Sequence, residues 1–127
     1  MKNYLLFGDS NTWGYRPATD GERFPFDQRI AGVLQQRLGN SIRVIEEALN
    51  GRMTHWEDPL NPDKNGAEKS KHFPEAYKEI ADRQGVHFLD ASKLTAPPAN
   101  GDGVHIDETG AAAIGNGIAD FIQAKIN

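Results

Sequence analysis

The sequence predicts an α/β fold resting on a parallel sheet, and three observations carry the prediction. Short apolar runs at 3–7, 42–49 and 86–91 read as strands. Stretches with apolar residues at helical spacing fall between and after them, and Gly39 and Gly85 close the first two. The resulting order of strand, helix, strand, loop, helix, strand, helix is that of an α/β protein. At 127 residues the chain fits a single domain, 1–127, with a modest core.

Residues 3–7 (NYLLF) are apolar on both faces, as a central parallel strand is. Gly8-Asp9-Ser10-Asn11 is turn chemistry, because glycine permits positive φ and short polar side chains cap backbone groups. Ser10 therefore reads either as a helix N-cap or as a nucleophile at the carboxyl end of a parallel strand, where α/β sheets place their ligand crevices. A loop rich in Pro, Gly and charge runs from Arg16 to Pro25. Ile30, Val33, Leu34 and Leu38 then mark a helical stripe, and 42–49 (IRVIEEAL) gives the second strand, which turns at Asn50-Gly51.

The stretch 57–71 (EDPLNPDKNGAEKSK) is a loop by its polarity, Pro and Gly. His72 to Gln84 reads as a helix and 86–91 (VHFLDA) as the third strand. The last helix starts at Asp107 and carries Ile114, Ile118, Phe121, Ile122 and Ile126 on one stripe. A doubly wound sheet ordinarily has about four to six strands. The chain offers three, and between Gly66 and Lys71 it passes from loop to helix where another strand is expected.

The charge balance narrows the partners. Fourteen Lys and Arg against 18 Asp and Glu leave a net charge of -4 with no basic cluster, which argues against nucleic acid. The absence of cysteine removes disulfides, thiolate metal sites and cysteine nucleophiles, and suits a cytoplasmic protein. The apolar run Tyr4 to Phe7 is too short for a signal peptide or a membrane span, so no membrane association is expected.

A serine nucleophile needs a neutral imidazole to take its proton and an acceptor on the other ring nitrogen to orient that imidazole. Of the four histidines, His72 opens a helix in a charged context, His87 sits between Val86 and Phe88, and His55 has no local partner of obvious role. His105 differs, because it lies in the glycine-rich loop GDGVHIDETG with Asp102 three residues earlier. An aspartate at that spacing on a tight loop can reach back to the ring. Asp102 and Asp107 also read as ordinary turn and N-cap aspartates, so the spacing gains its meaning only beside Gly8-Asp9-Ser10.

The blocks FGDSNTWGY near the start and DGVHID near the end resemble the first and last motifs of the SGNH (GDSL) hydrolase family. Between them GERF, GVLQQRLG and VIEEALNGRMTHWEDP resemble its arylesterase and acyltransferase branch. The likeness runs nearly continuously over 4–67 and more loosely over 72–126. It implies a flavodoxin-like three-layer sandwich with a parallel sheet, and a serine esterase acting on small acyl esters, by hydrolysis or transfer. It also implies roles: Ser10 as nucleophile, His105 as base and Asp102 as the orienting acid. The oxyanion hole would draw on the backbone N–H of Ser10 and on Gly51.

The family's third oxyanion donor is an asparagine in a Gly-x-Asn-Asp block, which has no counterpart here, and Asn50, Asn61 and Asn65 stand in the wrong context. The strand carrying that block would lie beside the Ser10 strand, so the central strands are expected to be missing. At about 30 residues per βαβ step the gap corresponds to roughly 60–90 residues. The expected join, an internal deletion or unrepresented segment, lies near 66–68.

Two other readings stand beside the esterase. One is a non-catalytic remnant that kept the motifs and lost the middle of its sheet. The other is a flavodoxin-like module whose GDSNTWG loop holds a flavin phosphate, although Asp9 would set a negative charge beside it. Asp9, Asn11 and Trp13 are candidates for the substrate pocket, and Tyr15 and Phe24 for packing around the active-site loop. The acidic pairs Glu46-Glu47 and Glu57-Asp58 suggest a metal at first sight, but neighbouring strand carboxylates point to opposite faces. No metal or organic cofactor is expected. Homo-oligomerisation is an expectation of the resemblance, and exposed sheet edges would favour it.

Overall fold

The computed structural model describes residues 1–52 and 71–126. Strand β1 (Lys2–Gly8) leads into a single turn of helix, α1 (Ser10–Trp13). After the 16–25 excursion and a 3-10 turn at Phe26–Gln28 come α2 (Ile30–Leu38) and β2 (Ile42–Ala48). Helix α3 (Phe73–Gln84) and helix α4 (Glu108–Lys125) complete the described elements. The expected join near 66–68, His55 and the Glu57-Asp58 pair lie outside the described residues.

β1 and β2 pair in parallel with Lys2 opposite Ile42 and Gly8 opposite Ala48, so both carboxyl ends finish level. Connecting two parallel neighbours requires a crossover, and α2 supplies it. Its stripe lands where the spacing predicts: Ile30, Leu34 and Leu38 are buried, and Leu34 and Leu38 pack with Ile42 and Val44 of β2 and Ala119 and Ile122 of α4. Tyr4 and Leu6 of β1 close that core from the sheet side, and Leu6 also reaches a second cluster of Ile30, Ile106 and Ala111.

The expected third strand is corrected. Residues 86–90 carry no strand assignment, and a short 3-10 turn at Ala91–Lys93 follows, capped by Asp90. A strand exists only where a neighbour about 4.8 Å away offers its N–H and C=O groups. The described sheet has two strands, which bond to each other, and among the described residues no strand pairs with 86–90.

The same shortage corrects the reading of β1 as a strand buried on both faces. Leu5 and Phe7, on the face away from α2, are 63% and 64% exposed. Helix α3 forms where expected, with Gly85 as its left-handed cap, yet only Ala81 is buried. On α4, Ile114, Ile118 and Ile122 pack on the core as the stripe predicts, whereas Ile126 is exposed, and Gly110, Ala111, Gly115 and Ala119 are buried alongside them.

Small residues on that line let α4 lie close on α2. A Cβ at Gly115 would stand 2.9 Å from Cβ and Cγ1 of Val33 and 3.1 Å from the Ile30 carbonyl oxygen. At the far end Arg37 clasps α4, donating to Asn116 Oδ1 at 2.8 Å and to Asp120 Oδ1 at 2.5 Å. Gly115→Leu is expected to destabilise the fold by about 1–3 kcal/mol through overpacking. Thermal melts check this: Tm falls in Gly115→Leu, and adding Val33→Ala restores part of the loss, because touching sites couple.

Candidate active site

The Gly-Asp-Ser turn at the end of β1 has a steric reason for its glycine. The Thr12 side chain folds back over Gly8 so closely that a Cβ there would stand 2.1 Å from Thr12 Oγ1. Asp9, and not Ser10, is the N-cap of α1: its Oδ1 accepts the Asn11 N–H at 2.9 Å. The capping reading of Ser10 is thereby corrected, and its hydroxyl is left for another partner.

That partner is His105. Ser10 Oγ lies 3.0 Å from His105 Nε2, and His105 Nδ1 lies 2.6 Å from Asp102 Oδ2. An ionised carboxylate only accepts, so the ring proton sits on Nδ1, and Nε2 is left to accept from the serine hydroxyl. The three residues predicted from the sequence are thus one hydrogen-bonded chain. They hold this geometry on a described sheet of two strands. The packing of α4 on α2, with Ile106 buried against Ile30 and Ala111, carries the histidine loop to the end of β1.

Asp102 does two jobs with its two oxygens. Oδ1 accepts the backbone N–H of His105 at 2.8 Å and of Val104 at 3.0 Å, while Oδ2 takes the ring. These bonds favour the charged form and hold its carboxyl at about 2, against 3.8 for a free aspartate. The His105 backbone N–H contributes most, then the His105 ring, then the Val104 N–H. A carboxyl depressed on folding stabilises the fold above its unfolded pKa and loses that contribution as pH falls through the folded one. Tm should therefore drop between pH 3.8 and about 2 more steeply in the wild-type chain than in Asp102→Asn, by a small margin because the carboxylate faces water. Parallel acid limbs in the two proteins would remove Asp102 as the carboxylate that ties this loop. Asp107 is a cap, its Oδ1 accepting the Gly110 N–H at 2.8 Å.

Gly51 lies in the turn after β2, closed by the Arg52 N–H on the Leu49 carbonyl at 3.2 Å. Because β1 and β2 end level, this turn sits beside the one that carries Ser10. Arg52 ties the two strand ends together, donating from Nη1 to the carbonyls of Gly8 at 3.0 Å and Glu47 at 2.8 Å, with its guanidinium 3.9 Å from the Phe7 ring centroid. Of the candidate pocket residues, Asp9 is exposed and spent on its cap. Trp13 lies under the Arg23 guanidinium at 4.5 Å, and Asn11 bonds to the histidine loop.

Tyr15 and Phe24 pack around the active-site loop, as expected. Tyr15 stacks on the His105 ring with centroids 4.3 Å apart. Glu46 accepts from both Arg23 and Arg29 and turns inward, while Glu47 stays out in water, as the alternation of a strand requires. Phe24 is buried, its N–H donating to the Gly14 carbonyl at 2.8 Å. His72 precedes α3, and His87 packs edge-on against Phe121. No cluster of metal-ligating side chains occurs among the described residues, and none of their helices is long and apolar enough to cross a membrane.

Neither a family model nor a curated protein matches the sequence. Solved structures do. The native aryl esterase of M. smegmatis superposes with a TM-score of 0.87 at 22% identity, covering 98% of this chain and 99% of that one. A carbohydrate acetylesterase from Sinorhizobium meliloti gives the same figures. A structure described as a putative arylesterase from Agrobacterium tumefaciens gives 0.84 at 23% identity, with the same coverage. These structural neighbours are aryl and acetyl esterases, and the chain shares their α/β fold on a parallel sheet.

Proposed function

We propose that the chain is a serine esterase that hydrolyses, or transfers, small acyl groups of carboxylic esters through an acyl-enzyme on Ser10. The observation that carries this reading is the unbroken chain from Ser10 Oγ to His105 Nε2 at 3.0 Å and from His105 Nδ1 to Asp102 Oδ2 at 2.6 Å. As Ser10 Oγ attacks the ester carbonyl, His105 takes its proton and Asp102 steadies the imidazolium. The tetrahedral oxyanion faces the backbone N–H groups of Ser10 and Gly51. Collapse expels the alcohol with the proton from His105, leaving the acyl group on Ser10 Oγ. Water, or an acceptor alcohol, then enters by the same base and restores the serine.

A phosphate-binding loop would leave His105 and Asp102 without a task, which sets the flavin reading aside. Labelling with a fluorophosphonate, followed by intact mass and peptide mapping, tests the proposal. One adduct is expected, on Ser10, and none in Ser10→Ala. An adduct that persists in Ser10→Ala removes Ser10 as the nucleophile. A protein that neither labels nor turns over p-nitrophenyl acetate is the non-catalytic remnant.

A further inference from the structure

We propose that Asn11 is a positioning residue that sets the distance between Ser10 and His105, an inference that rests on the esterase reading above. Its side chain grips the two peptide groups that flank His105. Oδ1 accepts the Ile106 N–H at 2.9 Å, and Nδ2 donates to the Val104 carbonyl at 3.4 Å. These bonds span 95 and 93 residues of chain, yet Asn11 is the covalent neighbour of Ser10. One amide therefore fixes the nucleophile's backbone to the backbone of its base.

The short sheet gives this clamp its weight. Residues 86–90, which lead toward the histidine loop, have no ladder to β1, so among the described residues no strand pairing fixes where the loop sits. The buried Ile106, the α2–α4 packing, the Tyr15 stack and Asn11 hold it there. The imidazole itself is aimed by Asp102 on Nδ1 and by Tyr15 on its face; Tyr15, whose N–H donates to the Ser10 carbonyl at 3.0 Å, holds the ring, while Asn11 holds the backbone of the loop. One bond from each end of the amide turns Asn11 toward the histidine loop and so toward the base.

Asn11→Ala and Asn11→Asp, made in the full chain, test the assignment. With far-UV circular dichroism retained, Asn11→Ala should lower kcat for p-nitrophenyl acetate about 10²-fold with KM nearly unchanged, the cost of a misplaced reacting group. Asn11→Asp keeps the acceptor for Ile106 but loses the donor to Val104, and it sets a negative charge beside the imidazole. A smaller loss of kcat is expected, together with a shift of the acidic limb of the pH–rate profile to higher pH, because the charge favours the imidazolium.

A lowered Tm with kcat and the acidic limb unmoved in Asn11→Asp would overturn the proposal, whether or not Asn11→Ala folds. The proton on His105 Nδ1 gives a readout that needs no activity. It should appear far downfield by NMR in the wild-type chain and in Ser10→Ala, and broaden by exchange in Asn11→Asp. That pattern in a protein without turnover sinks the esterase reading and leaves the clamp standing. A resonance unchanged in Asn11→Asp, or missing from the wild type, sinks the clamp.

Discussion

His105→Ala is expected to lower ester turnover by several orders of magnitude, on the order of 10⁴-fold. Nothing else in the site can take the serine proton: Asp102 is spent on the ring and on two backbone N–H groups, and Asp107 on the cap of α4. Serine and base act as a unit, so Ser10→Ala and the double variant should be nearly as slow as His105→Ala alone. Asp102→Asn should cost less than loss of the base, since the aspartate orients and does not itself accept the proton. Asp107→Asn should leave the rate close to normal, and a loss there with normal rates in Asp102→Asn would move the acid role to Asp107. The pH dependence has a definite sign, because only the neutral imidazole accepts a proton, so kcat/KM rises with pH. A profile flat between about pH 5 and 8 for a chemistry-limited ester would remove a histidine base.

What the sequence reveals and what it hides divide along the range of the interactions. α2 is legible because its stripe and its Gly39 stop lie within one stretch of chain, and the α4 boundary because Asp107 announces a cap. Ser10, His105 and Asp102 are legible because each stands in a motif whose residue types have few other uses together. Residues 86–91 carry a strand's composition, but strand formation depends on a neighbour that local sequence does not report.

The isoleucines of α4 show its core face in the sequence, since Ile114, Ile118 and Ile122 pack there. The close approach of Gly115 to Val33 leaves no such trace, because it depends on where α2 lies. Asn11 and Tyr15 were read as pocket or packing residues, because a contact across more than ninety residues leaves no periodic trace.

The chain should also be a slow esterase even with its serine, histidine and aspartate in register. Acyl transfer passes through a tetrahedral oxyanion, and donors already aimed at that oxygen are among the largest contributions to rate. The esterase reading draws two such donors, the N–H groups of Ser10 and Gly51, from the turns that follow β1 and β2, whose ends are level. The resemblance calls for a third, an asparagine side chain from a Gly-x-Asn-Asp block, and the sequence has no such block. Asn11 turns its amide to the histidine loop, donating to the Val104 carbonyl and accepting from the Ile106 N–H. Asn50 belongs to the turn that presents Gly51, and Asn100 lines a cavity of about 210 Å³ whose lining does not include Ser10 or His105. Loss of one oxyanion donor typically costs about 10²–10³ in kcat. The deficit should fall on kcat, since the missing bond would strengthen mainly in the transition state, while KM stays ordinary. Side-by-side kinetics with the M. smegmatis aryl esterase on p-nitrophenyl acetate decide the matter. Equal kcat values would mean that a donor not counted among Ser10, Gly51 and Asn11 completes the hole.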